Sequence, residues 1–150
     1  MNLIRRLHIN DLEIAKELFL FFQTDDGIAI PRIASSERLE ELLADDNFYI
    51  LATFTDGKFI GGLTAYALKM YKRNTIKIIL YEIGVKPKYR RKGVGRKLVE
   101  NLKTLSAEQN AEEILIPTTD SNTNAKEFYK ATGGILSADS VTYKYILEKK

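Results

Sequence analysis

The run Arg90-Arg91-Lys92-Gly93-Val94-Gly95 is the part of this chain best suited to hold an anion. Its two glycines let backbone N–H groups approach a ligand with no Cβ in the way. The preceding segment, TIKIILYEIGV, has the length and β-branched content of a central strand. After the run, Val94, Leu98, Leu102 and Leu105 recur on one face of a helix starting near Gly93. The first N–H groups of such a helix lack internal partners, and its dipole adds positive potential at that end. A strand, a glycine turn and a helix start in this order make a pyrophosphate cradle, with Arg91, Lys92 and Arg96 adding charge around it. The run is not a Walker A loop, because no G-x-x-x-x-G-K-[ST] is present. Nor is it the dinucleotide fingerprint, because a third glycine and an opening βαβ unit are missing. A solvated basic face without a ligand is the alternative reading of the same charges.

The elements that must position this turn follow from periodicity. Residues 2–8 read as a short strand, and Asn10 caps a helix in which Glu13 completes a capping box. Leu12, Ala15, Leu18, Phe19 and Phe22 form that helix's apolar stripe. Residues 24–34 read as a loop, and a second helix runs from about Glu37 to Ala44, capped by Ser35 or Ser36. FYILATF and KFIGGLTAYAL flank Thr55-Asp56-Gly57, a hairpin signal. Pro87 ends the long strand before the cradle. EEILIP reads as a further strand, Asn122 to Ala131 as a helix stopped by Gly133-Gly134, and VTYKYIL as a closing strand. The order is that of a mixed α/β domain over 1–150, with a mostly antiparallel sheet and one crossover near residues 85–115.

Composition narrows the chemistry. The chain has 150 residues, 45% hydrophobic, which suits one domain with a real core. It contains no cysteine, which excludes disulfides, thiolate metal sites and thiol nucleophiles. No apolar run has membrane-spanning length and no signal peptide opens the chain, so a cytoplasmic location is the expectation. The net charge of +3 is unevenly spread: residues 1–60 hold six Lys/Arg and eleven Asp/Glu, and residues 61–150 hold seventeen and nine. The basic run has no interleaved aromatic residues for stacking bases, which argues against nucleic acid. His8, the one histidine, lies on the first strand with no partner in sequence and reads as a strand residue. Tyr66, Tyr71 and Tyr81 alternate with apolar residues as sheet packing does, with the lining of an acceptor cleft as the other use open to them.

YEIGVKPKYRRKGVGRKLVENL resembles motif A of the GNAT (Gcn5-related) N-acetyltransferases, whose core is [Q/R]-x-x-G-x-[G/A]. TDSNTNAKEFYKATGG resembles their motif B, with Asn122, Ala125, Tyr129 and Gly133 in the expected spacing and Gly134 where an aromatic residue is usual. The resemblance implies the acyl-CoA N-acyltransferase fold, with about four helices around the sheet, and acetyl-CoA as cofactor. Ile83, Gly84 and Val85 would bond the pantetheine arm as an added strand. Arg90, Arg91, Lys92, Gly93, Val94, Gly95 and Arg96 would hold the pyrophosphate. Asn122 and Ala125 would lie near the cofactor, and Tyr129 would protonate the departing thiolate of coenzyme A. Glu82, on the strand before the cradle, is the candidate base for the acceptor ammonium, whose nitrogen has no lone pair until it loses a proton. A surface carboxylate paired with a lysine is the alternative for Glu82, and a core aromatic is the alternative for Tyr129.

Within the family, the LATF…GGLTAYAL hairpin, the I-x-L-Y-E-I-G-V strand and the I-P-T-T-D segment are most similar to aminoglycoside 3-N-acetyltransferases, where Tyr-Asp stands for Tyr81-Glu82. That likeness implies a small-molecule amine acceptor, an antibiotic-resistance activity, and an acidic acceptor side to which Asp25, Asp26, Glu82 and Asp120 would belong. Glu37, Glu40 and Glu41 could extend that side, or all could be ordinary helix and loop surface. Acetylation of a protein N-terminus or lysine, and a non-catalytic acyl-CoA-binding module, remain open. So does a homodimer. No membrane partner, nucleic acid or metal is expected.

Overall fold

The computed structural model describes residues 2–149. The chain forms two compact units, Met1–Pro117 and Thr118–Lys150. The first unit is built on a five-stranded sheet in chain order: β1 (Asn2–Arg6), β2 (Phe48–Thr55), β3 (Lys58–Lys69), β4 (Ile76–Val85) and β5 (Ala111–Leu115). The first three pairings are antiparallel; β4 and β5 are parallel, joined across the helix α3 (Val94–Glu108). The helices α1 (Leu12–Asp25) and α2 (Ser36–Ala44) connect β1 to β2. With α4 (Thr123–Ala131) of the second unit, this is the mixed, mostly antiparallel architecture with four helices that the sequence implied.

Both faces of the sheet are covered, so its central strands are continuously apolar. Leu51, Leu63, Ala65, Ile78 and Leu80 pack with Val94, Leu98 and Leu102 of α3. Phe48, Ile50, Ala52 and Phe59 pack with Ala15, Leu18 and Phe22 of α1 and Leu43 of α2. The hairpin turn is the expected one: Asp56 and Gly57 have φ of 50° and 75°, as a type I′ turn requires.

The approach of α1 to the sheet depends on glycine. A Cβ on Gly62 would lie 3.1 Å from both terminal methyl groups of Leu18 and would clash with the Leu51 carbonyl behind it. Gly62→Ala is therefore expected to cost about 1–3 kcal/mol. Chemical denaturation should show a lower midpoint with an unchanged slope; an unchanged midpoint would show that α1 can retreat freely.

The clearest departures from the sequence expectation are three, beside shifts of one or two residues at the ends of α1 and β5. Strand β1 ends at Arg6 rather than residue 8. The entry to α1 is organised by Asp11, not by Asn10 with Glu13: a single turn at Ile9–Asp11 precedes the helix, and the Asp11 carboxylate accepts from the His8 N–H at 2.8 Å and from Arg5 at 3.0 Å. Bonds to a backbone amide and a guanidinium hold this carboxylate toward β1, so it makes no bond to the amides of α1 itself. The expected closing strand at 141–147 is absent: those residues carry no strand, and Val141, Tyr143, Ile146 and Leu147 are exposed. Their alternation is real, but a strand needs hydrogen-bond partners that this segment lacks among the described residues.

In the second unit, the Asn122 side chain caps α4 by accepting from the Ala125 N–H at 3.1 Å. The helix ends in a Schellman motif: Gly133, at φ 95°, donates to Lys130 O at 3.2 Å, and Gly134 donates to Tyr129 O at 2.8 Å. A Cβ on Gly134 would sit 2.8 Å from that same oxygen. The departure from the usual aromatic residue at 134 thus has a local physical cause.

Candidate active site

Strand β4 leads through a short turn at Pro87–Tyr89 into the start of α3. Arg91 and Gly93 both adopt left-handed backbone conformations, with φ of 59° and 79°. None of the backbone N–H groups of residues 91–95 donates to a backbone carbonyl among the described residues; the ladder of α3 begins with Lys97 N to Gly93 O at 3.1 Å. Successive unpaired amides in such a bend form a concave nest for an anionic oxygen. The space above the turn is open, since a Cβ built on Gly93 meets nothing within 4 Å. Gly93 is thus required for its backbone angle and for the room it leaves. Gly93→Val is expected to weaken coenzyme A binding at least tenfold by calorimetric titration, with the fold retained. Wild-type affinity in the variant would remove the nest from the binding site.

Arg91, Lys92 and Arg96 are exposed beside this turn. Arg90 is differently employed. Its Nε donates to Val85 O at 2.8 Å, and its guanidinium pairs with Asp25 at the end of α1. Both residues were expected to meet ligands; the structure ties them to each other, locking the end of α1 to the end of β4. Beyond Ile79, β4 has no strand partner on the β5 side, because the β4–β5 pairing runs only from Ile76 to Ile79. Ile83, Gly84 and Val85 therefore lie on a stretch of sheet edge that an extended chain can join. The nest and this free edge, end to end on one strand, fit the diphosphate and pantetheine arm of an acyl-CoA.

Glu82 faces the other side. The β3–β4 register pairs Thr64 with Glu82 and Ala65 with Leu80, which makes Tyr81 an extra residue in a β-bulge. As a result, Tyr81 and Glu82 both line one cavity of about 260 Å³, with Phe19, Gln23, Arg32, Phe48, Thr64 and Tyr66. The rings of Phe48 and Tyr66 lie 4.8 Å apart, and those of Tyr66 and Tyr81 5.8 Å apart, forming an aromatic wall. Burial pushes the Glu82 carboxyl above the ordinary carboxylate range, and the charge of Asp26 pushes it further. A larger hollow of about 380 Å³ between α3 and the β1–β2 edge contains neither the nest nor Glu82. The chemistry-bearing residues select the smaller cavity.

Asn122, Ala125, Tyr129 and Asp120 belong to the second unit. Asn122 is engaged as the helix cap. Asp120 is fully exposed and ion-paired with Lys126 at 2.7 Å. Burial raises the Tyr129 phenol above its ordinary value, while a hydrogen bond with Thr118 pulls it partly back. Tyr66 and Tyr81 turn out to be cavity wall rather than packing alone. Sequence gave no signal for Thr64, Gln23 or Arg32. A threonine in an apolar strand and polar residues in a loop are ordinary, and only the bulge and the fold of the loop bring them to Glu82.

A mostly antiparallel sheet whose one parallel pairing opens beside an anion nest, with a carboxylate cavity against the same strand, defines an acyl-CoA-dependent acyltransferase. Residues 13–133 match the model of the acetyltransferase (GNAT) family, and the chain belongs to that family. It is an acetyl-CoA-dependent N-acetyltransferase. It is similar, at 28% identity and TM-score 0.92, to an aminoglycoside acetyltransferase, meta-AAC0020, from an uncultured soil metagenomic sample, solved with trehalose and with sisomicin; the match covers 98% of this chain and 97% of that one. A second soil metagenomic aminoglycoside acetyltransferase, HMB0005, shares the fold at 24% identity and TM-score 0.86, over 99% of each chain. So does a ribosomal-protein-alanine N-acetyltransferase from Brucella melitensis biovar Abortus 2308, at 19% identity and TM-score 0.84, also over 99% of each. No curated protein matches the chain. Among the described residues, no helix is long and apolar enough to cross a membrane.

Proposed function

We propose that the protein acetylates a primary amine of a small molecule, with aminoglycosides as the acceptor class. The observation that carries this reading is the half-buried Glu82 in a cavity of about 260 Å³ lined by Phe48, Tyr66 and Tyr81. A cavity of that size suits one ring of a small amine better than an extended polypeptide. The likeness to an aminoglycoside acetyltransferase over nearly the whole chain supports that acceptor class.

In this reading Glu82 takes the proton from the acceptor ammonium, directly or through a water. Tyr129 donates to the departing sulfur. The amides of Arg91 to Gly95, with Arg96 and Lys92, hold the diphosphate; Ile83, Gly84 and Val85 bond the pantetheine arm, and Asn122 and Ala125 flank the cofactor at the start of α4. Asp26 adds negative charge for a cationic acceptor. Asp25 and Asp120 join the acceptor side only by exchanging their present partners, Arg90 and Lys126. Acetyl transfer is direct, without an acetyl-enzyme.

A thiol-release assay with acetyl-CoA tests the acceptor: sisomicin against a peptide beginning with alanine and a peptide containing a lysine. Sisomicin should be turned over at least tenfold more efficiently, and expression in a susceptible bacterium should raise the concentration of sisomicin it survives. Preference for either peptide would move the reading to protein acetylation, and no turnover with tight coenzyme A binding would favour a binding module.

A further inference from the structure

Two groups in the acceptor cavity lack the partners their chemistry demands. The Thr64 hydroxyl is fully buried, its residue 2% exposed, and it makes no hydrogen bond among the described residues. A buried hydroxyl without a partner is costly, and native chains seldom keep one without use. Opposite it across the β3–β4 pairing stands Glu82, whose carboxylate also accepts no hydrogen bond from any described side chain. Paired residues on adjacent antiparallel strands have Cβ atoms roughly 4.5–5.5 Å apart, within reach of one threonine rotamer change.

We propose that Thr64 is a positioning residue for Glu82: its hydroxyl is the donor that holds the carboxylate ionised and aimed once bound substrates exclude water from the cavity. The inference rests on Glu82 acting as the base. In the open cavity, water solvates the carboxylate and Thr64 is idle. A pantetheine arm along Ile83–Val85 and an amine against the aromatic wall remove that water. The carboxylate then needs a protein donor to remain a base rather than a neutral acid. The other groups facing Glu82 do not supply one in this geometry. Asp26, at the end of α1, is an acceptor. The Arg32 guanidinium, at the cavity rim, is exposed. The Tyr66 and Tyr81 rings stand edge to face in the wall, and neither phenol hydroxyl is hydrogen-bonded to Glu82 among the described residues. The stability that Thr64 forgoes in the free protein is the counterpart of this role.

The test compares Thr64→Val, which keeps the shape and removes the hydroxyl, with Thr64→Ser, which keeps the hydroxyl. Thr53 is the control. It is also buried with an unpartnered hydroxyl but lies outside the cavity. Both Thr64→Val and Thr53→Val should raise the melting temperature. Only Thr64→Val should move the Glu82 titration upward, followed by carbon-13 NMR of its carboxyl in coenzyme A-saturated protein. It should also lose about tenfold in kcat/KM on the acid side of the profile, with the KM for acetyl-CoA unchanged and Thr64→Ser near wild type. A Glu82 titration that superimposes in wild type and Thr64→Val overturns the inference and leaves the base assignment standing. An acid limb that persists in Glu82→Gln overturns the base assignment itself.

Discussion

Glu82→Gln is expected to lower kcat/KM about 100-fold near pH 7, with the deficit shrinking as pH rises. Glutamine keeps the size and hydrogen-bonding reach of the side chain but cannot accept the proton. An acceptor amine with a pKa of roughly 8–10 is almost wholly protonated at neutral pH, so a base matters most there and least above the amine pKa. Burial first, and Asp26 second, raise the Glu82 carboxyl. A raised carboxyl is a stronger base when ionised, and the acid limb of the wild-type profile should lie above the ordinary carboxylate range. The same shift has a stability sign. The folded state holds this proton more tightly than the unfolded chain, so stability falls as pH rises through the Glu82 titration. Glu82→Gln should therefore melt higher than wild type at neutral pH, with the gap closing once Glu82 is protonated. A pH-rate series of the two proteins with one acceptor, beside thermal melts at the same pH values, checks both. A deficit flat across pH would leave Glu82 a positioning role only.

The second large effect concerns Tyr129. Tyr129→Phe should reduce turnover by about 10- to 1000-fold while coenzyme A affinity stays within a few-fold of wild type. An ordinary phenol, near 10, is already a weaker acid than an ordinary thiol, near 8.5. Burial raises the Tyr129 phenol further. Complete transfer to a thiolate is thus uphill, and the proposed contribution is a strong hydrogen bond to sulfur as charge builds on it, with the proton following. That is why the expected loss is moderate. The ring contact with Phe128, 5.4 Å between centroids, and the Schellman cap through the Tyr129 carbonyl survive the change, so binding and fold should too. Single-turnover measurements separate the chemical step from product release; wild-type rates in both would assign the proton to water.

The parts of this molecule that were readable in the sequence are those fixed by neighbours along the chain. The Asp56-Gly57 turn, the Ser35 cap, the helix from Gly93 and the Gly133 stop all depend on residues a few positions apart. Misreadings and omissions came from contacts made across the fold. Asn10 and Asp11 both look like caps locally; Asp11 takes the N-cap position, but Arg5, six residues back, draws its carboxylate away from the helix amides. The side chains of Arg90 and Asp25 look like ligand contacts until the fold brings together two positions 65 apart in sequence. The bulge at Tyr81 leaves no trace in an apolar run, yet it turns Tyr81 and Glu82 into one cavity. Residues 141–147 show that alternation records which side chains could share a face, while strand formation also requires a second strand.

The Gln23 side chain accepts from the Arg32 N–H at 2.8 Å and donates to the Arg32 carbonyl at 2.5 Å, so one amide closes the loop after α1 as a staple would. With Asp25 fastened to Arg90, the segment between these two anchors is a replaceable cassette. Loop closure grows costlier only slowly with added residues. Segments of new length and charge can therefore be grafted between Asp25 and Arg32 to redesign which amines are accepted, while β4, its bulge and the anion nest stay as they are.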